Sequence, residues 1–172
     1  MGTHGLIYIR TDANHKIASG HLMRCLSIAS ACKSLGMEVC FLVSEGEGCS
    51  LFRELSSFQD GFDLFPLKTA LYDNLELELG EVSRLLYSQP QRPIFLLDSY
   101  YVTGPYLAAI KPLARVAYLD DLQLFDYPVD LLINYDVISQ ASLPSYKAAY
   151  QKAGRLLLGA TYAPLRPQFQ NN

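Results

Sequence analysis

Apolar residues recur along this chain with two different periods, and the alternation between them predicts its architecture. Seven short runs are apolar at nearly every position, as buried strands are: residues 6–9, 39–43, 62–65, 94–97, 115–119, 131–133 and 155–158. Between several of them the apolar positions return every three or four residues, as on one helical face: residues 22–35, about 50–57, 75–87 and 105–113.

Strands that are apolar on both faces and alternate with helices indicate a mostly parallel sheet covered on both sides. The prediction is therefore an α/β fold, a Rossmann-like three-layer domain with about seven strands. The length of 172 residues favours one such domain, which we place at residues 1–160. Residues 161–172 are interrupted by Pro164 and Pro167 and are predicted to begin a connector.

Charge and cysteine usage exclude several classes of partner and cofactor. The formal net charge is −3 and the pI is near 5.5, so the basic stripe that binds nucleic acid is missing. No C-x-x-C pair occurs, and the cysteines are predicted to pack in the core: Cys25, Cys32, Cys40 and Cys49. The sequence has no apolar run near the ~18 residues of a membrane span and no signal peptide, which predicts a cytoplasmic protein without a membrane span.

The junction between the first strand and the first helix is the predicted centre of the chemistry. In open α/β sheets ligands bind at the carboxyl edge, where a helix amino terminus offers unpaired N–H groups. Gly20 lacks a side chain and lets a ligand approach the backbone. The next residue, His21, is predicted to be a general base, with helix capping as the alternative. His4 and His15 are interpreted as non-catalytic.

Two acidic residues follow the first and fourth apolar runs at the same edge of the sheet. Asp12 comes after the first strand, either as a turn residue or as a residue that holds the His21 loop or a ligand hydroxyl, and Arg10 is placed to pair with it. Asp98 follows the fourth apolar run, either to bind substrate or to cap the next helix. Tyr100 and its neighbour Tyr101 add a surface suited to sugars.

The later strands end in further polar residues. Asp120 and Asp121 are adjacent in an extended segment, so their side chains should point in opposite directions, with only one facing the cleft. A metal site is therefore disfavoured. Asn134 has an amide that can fix a hydroxyl as donor and acceptor. Tyr162 and Arg166 are interpreted as connector residues.

These residues also resemble a known signature. The pattern R-T-D-x(7)-G-H-x-x-R resembles the amino terminus of the nucleotide-sugar hydrolases of pseudaminic acid biosynthesis and of related spore-coat polysaccharide biosynthesis proteins, both distant relatives of GT-B glycosyltransferases. It is formed by Arg10, Thr11, Asp12, Gly20, His21 and Arg24. The likeness continues in order through Asp98-Ser99-Tyr100, Asp120-Asp121, Leu132-Ile133-Asn134, Gly159, Tyr162, Leu165 and Arg166. One loop departs, because the family usually has Gly-x-Gly-His where this chain has Ala18-Ser19-Gly20-His21.

The resemblance implies the sugar-side, amino-terminal half of a GT-B-like enzyme, with a second, nucleotide-binding domain absent from these residues. Such an enzyme releases UDP from a 2,4-diacetamido-trideoxyhexose-like donor by means of water that His21 activates, without a metal or redox cofactor. The implied substrate-binding residues are Arg10, Asp12, Gly20, Arg24, Asp98, Tyr100, Asp121 and Asn134.

Two alternatives to this hydrolase stay open at this point. One is a glycosyltransferase that passes the sugar to an acceptor hydroxyl, and the other is a non-catalytic nucleotide-sugar binding module. A receiver-type signalling domain is excluded because Asp12 stands alone where an acidic pair is needed. Dinucleotide binding is excluded because the first strand–helix junction lacks G-x-G-x-x-G.

Overall fold

The computed structural model describes residues 5–17, 19–56 and 61–165. In chain order these residues form β1 (Leu6–Arg10), α1 (Gly20–Ser34), β2 (Glu38–Ser44), α2 (Glu47–Leu55), β3 (Asp63–Leu67), α3 (Leu79–Tyr87), β4 (Ile94–Leu97), α4 (Gly104–Ile110), β5 (Arg115–Leu119), β6 (Leu131–Asn134), α5 (Leu143–Ala149) and β7 (Arg155–Leu158). Short 3-10 helices, Leu75–Glu78 and Ala160–Tyr162, precede α3 and follow β7.

The strands pair in parallel in a single seven-stranded sheet with the order β3-β2-β1-β4-β5-β6-β7. After β1 the chain moves outward to β2, and after β4 it moves outward in the opposite direction to β5. The crevice between these diverging connections is the topological switch point, where open α/β sheets bind ligands. The carboxyl ends of β1 and β4 lie at this crevice.

Helices cover both faces of the sheet and divide the core into two clusters. On one face α1 and α2 pack against residues such as Ile9 and Phe41. On the other face α3, α4 and α5 pack against residues such as Tyr8 and Phe95. The predicted α/β, Rossmann-like layout is therefore confirmed.

The strand predictions agree with the structure to within two residues at each end, whereas the helices differ more. The predicted helix 75–87 is divided, because Leu75 and Glu78 are both buried at the i, i+3 spacing of a 3-10 turn before α3 begins. The helix predicted at about 50–57 begins earlier, at Glu47. Helix α5 has no fully buried residue of its own and was not predicted from the sequence.

Several predicted features concern the ends and the thiols of the chain. Cys25 and Cys49 are buried free thiols, and Cys32 and Cys40 are half-buried. Within the described ranges, no helix is both long and apolar enough to cross a membrane. His4, Ala18 and Arg166 lie outside the described residues, as does most of the predicted connector, residues 166–172.

Candidate functional site

His21 lies in the first turn of α1 and is buried against the carboxyl end of β4. Its Nδ1 is 2.6 Å from Oδ1 of Asp98. Because an ionised carboxylate can only accept hydrogen bonds, Nδ1 carries a proton and donates it. The lone pair of the neutral ring then lies on Nε2, to which none of the described residues hydrogen-bonds. This arrangement gives a histidine oriented by a carboxylate, with its second nitrogen available as a base.

Arg24 lies one turn further along α1 and holds Asp98 through a two-point contact. Its Nε donates to Oδ2 at 2.6 Å and its Nη2 to Oδ1 at 2.5 Å. Its Nη1 donates to Asp121 Oδ2 at 2.6 Å and to the Tyr135 hydroxyl at 2.5 Å. We call the three side chains Asp98, Arg24 and Asp121 the outer triad. Together with Tyr135 it ties the first turns of α1 to the ends of β4, β5 and β6.

The charge state of Asp98 follows from its surroundings. Burial by itself would raise the pKa of this carboxyl, but hydrogen bonds from Arg24 and His21 outweigh burial and hold the pKa below its ordinary value. Asp98 is therefore ionised at neutral pH. Cys25 Sγ lies 3.4 Å from Asp98 Oδ2, and burial together with that carboxylate raises the pKa of the thiol well above its usual range. Cys25 is thus a neutral donor to Asp98 and not a thiolate nucleophile.

Arg10 forms a second cluster on the opposite face of β1, inside the core. Its Nε donates to the two carboxylate oxygens of Glu78 at 2.8 and 2.9 Å, and its Nη2 donates to Oε2 at 2.7 Å. Its Nη1 lies 2.6 Å from Asp12 Oδ2 and donates to the Thr11 carbonyl at 2.8 Å. The Tyr106 hydroxyl donates to Glu78 Oε1 at 2.8 Å. We call Asp12, Arg10 and Glu78 the inner triad.

Asp12 and His21 meet at a small slot at the switch point. Its lining consists of Asp12, Ile17, His21, Tyr72, Asp98, Ser99, Tyr100 and Tyr101. The slot has a volume of about 10 Å³, which is close to the minimum that one water molecule needs. Asp12 Oδ1 accepts the backbone N–H of Ser44 at 3.0 Å, so both of its oxygens are held while the side chain still faces the slot.

Aromatic side chains surround the mouth of the slot. The Tyr100 ring lies edge-on to the His21 imidazole, with 4.3 Å between the ring centroids. Tyr72 and Tyr101 form a second edge-on pair at 5.6 Å, and Lys16 Nζ lies 5.5 Å from the centroid of Tyr72. Tyr100 and Tyr101 are both exposed. The mouth therefore offers ring faces and hydroxyl groups of the kind that bind sugars.

The predicted substrate-binding residue Asn134 lies apart from the slot, as does Asp120. Asp120 turns inward, where it accepts hydrogen bonds from the hydroxyls of Tyr127 at 3.2 Å and Tyr150 at 2.5 Å. Asn134 donates to the same Tyr150 hydroxyl at 3.2 Å. Asp120 and Asn134 are both buried and hydrogen-bond to these tyrosines, whereas Asp121 belongs to the outer triad. The neighbouring carboxylates thus diverge, and the structure does not bring Asn134 to the slot.

Gly20, the first residue of α1, is exposed on the other side of His21. A Cβ atom placed on it meets nothing within 4 Å, so no packing contact within the described residues requires glycine there. The helix has no side-chain cap and no acidic residue in its first turn. A groove of about 220 Å³ lies beside it, lined by Ser19, Gly20, Met23, Arg24, Ser27 and Pro164. None of the described residues closes the α1 amino terminus, which therefore offers its unpaired N–H groups to an anion.

Sequence reasoning missed Glu78, Tyr72 and Tyr135. Glu78 falls in a stretch that the periodicity assigned to an ordinary amphipathic helix, and no sequence signal marks it as buried. Tyr72 and Tyr135 follow strands without any motif, although their position after a strand is itself a weak indication. His15, in contrast, lies apart from the slot, exposed and 3.0 Å from Glu47.

Comparison with known proteins assigns no family to the chain and no role to these residues. No protein-family model and no curated protein sequence matches the chain. Across the residues that the structure describes, no group of three or more His, Cys, Asp or Glu side chains is arranged to hold a metal ion. The chemistry available in the described part of the site is therefore that of the imidazole, the two triads and the open helix terminus.

Proposed function

We propose that this chain is the sugar-side half of a nucleotide-sugar hydrolase of the GT-B type. In this proposal the enzyme releases UDP from an amino sugar such as a 2,4-diacetamido-trideoxyhexose, in surface polysaccharide or nonulosonic acid biosynthesis. The observation that carries the proposal is the hydrogen-bonded His21–Asp98 pair at the switch point, beside a slot with room for one water molecule. The resemblance of the strand–loop–helix signature supplies the substrate class.

In the proposed reaction His21 acts through Nε2 on a water molecule in the slot. The water oxygen forms a bond to the anomeric carbon, its proton passes to Nε2, and the bond from that carbon to the diphosphate oxygen breaks. UDP leaves with the bonding electrons. Asp98, whose carboxylate accepts the hydrogen bond from Nδ1, then stabilises the imidazolium.

Other residues orient the two ends of the substrate. Asp12 faces the slot and retains lone pairs for a sugar hydroxyl or the attacking water, since a carboxylate can accept about four hydrogen bonds. Tyr100 offers a ring face and a hydroxyl at the mouth. The open amino terminus of α1 at Gly20 accommodates the departing diphosphate, and the remaining nucleotide contacts belong to a second domain.

Product analysis of the intact gene product tests the proposal. The protein is incubated with a panel of UDP- and CMP-linked amino sugars in water enriched in ¹⁸O, and the products are analysed by mass spectrometry. We expect free sugar and unlabelled UDP, because water attacks carbon. Label in the nucleotide would show attack at phosphorus, a glycoside formed only with an acceptor would show transfer, and binding without turnover would show a non-catalytic module. The first of these results contradicts attack at carbon, and the other two contradict hydrolysis.

A further inference from the structure

Two charged side chains lie in the core directly beneath the slot, and their burial is unusual. Arg10 is 1% exposed and Glu78 is 0% exposed. Taking two charges out of water costs more than their mutual attraction often returns, and apolar replacement of a buried ion pair is frequently neutral or stabilising. Stability alone therefore does not explain why this chain has an arginine and a glutamate here.

The buried pair reaches the slot only through Asp12. Arg10 uses Nε and Nη2 for Glu78, and it uses Nη1 for Asp12 and the Thr11 carbonyl. Neither Arg10 nor Glu78 lines the slot, whereas Asp12 does. Among the described residues, the chain of contacts from the pair to the slot therefore runs through the Asp12 carboxylate.

The geometry of the guanidinium explains how that influence is transmitted. The five N–H groups of arginine form a rigid planar fork, so fixing two of its nitrogens fixes the direction of the third. Glu78 holds Nε and Nη2, and Tyr106 holds Glu78 from its far side at 2.8 Å. Nη1 is then directed at Asp12 Oδ2, while the Ser44 N–H holds the other oxygen.

We propose that Glu78 and Arg10 are positioning residues, which fix the Asp12 carboxylate against the His21 slot so that it can orient the attacking water or a sugar hydroxyl. This inference rests on the proposed function for the identity of that ligand. The pair does not touch the substrate, and its contribution is to turnover and not to affinity.

A triple variant of the intact gene product separates positioning from a purely structural role. In Arg10→Met/Glu78→Leu/Tyr106→Phe the buried pair and the hydroxyl that holds it are replaced by apolar side chains of similar size. Asp12 keeps the Ser44 N–H and its place in the slot lining, so the fold should be preserved. We expect kcat to fall by about 10- to 100-fold while KM changes by less than about threefold, because a misplacement near 1 Å costs up to about 100-fold in rate. Tyr106→Phe alone removes the hydrogen bond to Glu78 but keeps both charges. Its kcat should therefore fall by less than that of the triple variant, and the difference between the two measures the contribution of the Arg10–Glu78 pair.

Glu78→Gln provides a second test that does not depend on the triple variant. It keeps the shape of the side chain but loses one acceptor and the charge, so it should lower kcat in the same direction by a smaller factor. Wild-type kcat and KM in either folded variant would overturn the inference. If neither variant folds, the pair serves the fold and the inference also fails.

Crystal structures separate this inference from the proposed function. If the wild-type protein turns over no member of the substrate panel, the proposed function fails, and the structure of the triple variant then decides the role of the pair. A shift of the Asp12 carboxylate by more than about 1 Å, with the backbone unchanged, supports positioning. An Asp12 carboxylate that keeps its place on the Ser44 N–H contradicts it.

Discussion

Two arginines near the same edge of the sheet each bridge two carboxylates, but they do so in different surroundings. The guanidinium of the inner triad is enclosed in the core, with 1% of the Arg10 side chain exposed, whereas 13% of the Arg24 side chain is exposed. Only the outer triad contacts His21 directly, through Asp98. Similar chemistry therefore supports two roles, one that orients the base and one that holds Asp12.

The two triads are alike in the charge state of their arginines and differ in the groups that they contact. In the inner triad, burial by itself would lower the pKa of Arg10, but Asp12 and Glu78 raise it above the ordinary range. In the outer triad the same balance applies to Arg24, with Asp98 and Asp121 as the raising groups. Both guanidiniums are fully charged at every pH of interest. The difference lies in what each cluster can reach, since the outer triad ends at a titratable imidazole and the inner triad ends at a carboxylate.

The largest expected effect is on turnover, at the residue that the outer triad orients. His21→Ala in the intact gene product should lower kcat by about 100- to 10,000-fold, the usual contribution of a general base, with a much smaller change in substrate affinity. The acidic limb of the pH–rate profile should disappear, because that limb reports protonation of the base.

The matched control for this variant is His15→Ala. It removes an exposed histidine from the same loop and should leave kcat unchanged. Near-normal turnover with an intact acidic limb in a folded His21→Ala protein would reduce His21 to a helix-end residue. The base would then have to be sought at Asp12 or Asp98.

The second effect is on stability and should distinguish the two arginines. Arg10→Met leaves Glu78 buried and unpaired, and breaking a buried pair in this way costs about 3–5 kcal/mol. Arg24→Met should cost less, because Asp98 keeps His21 as a partner and Asp121 is partly exposed. Urea unfolding of both variants of this chain measures the difference. Equal losses would show that the two clusters are not distinguished by burial.

Most of the fold was predictable from the sequence because buried strands and helices have different apolar periods. The strand ends placed Asp12, Asp98 and Asp121 at one edge, and the helix start placed His21 there. The pairings themselves were not predictable. Which carboxylate orients His21 depends on the directions of two side chains that are 77 residues apart in the sequence. Glu78 and Arg10 are 68 residues apart. Such contacts leave no local periodic signal.

The third effect is on acid stability and is assigned to the outer triad. The pKa of Asp98 is lower in the folded chain than its ordinary value of about 3.9, so its ionised form binds the native state better. Its stabilising contribution is complete above that ordinary value and is lost as the pH falls below it, through the lowered pKa. In urea unfolding between pH 2 and pH 7, Asp98→Asn should therefore show a smaller loss of stability at the acidic end than wild type. An identical acid limb in both proteins would contradict this assignment.

The smallest expected effect on the fold is at the amino terminus of α1. The same substitution should have a separate effect on substrate binding. Gly20→Ala should leave the stability unchanged or raise it by up to about 1 kcal/mol, since the added Cβ meets open space and alanine is the better helix former. If a diphosphate approaches the backbone there, the same methyl group obstructs it, and KM for the nucleotide sugar should rise in the intact gene product. Gly80→Ala is the matched control, because a Cβ atom on that helical glycine also meets nothing within 4 Å and lies away from the slot. Wild-type KM in both variants would place the diphosphate elsewhere and leave His21 and Arg24 as the functional residues at the α1 amino terminus.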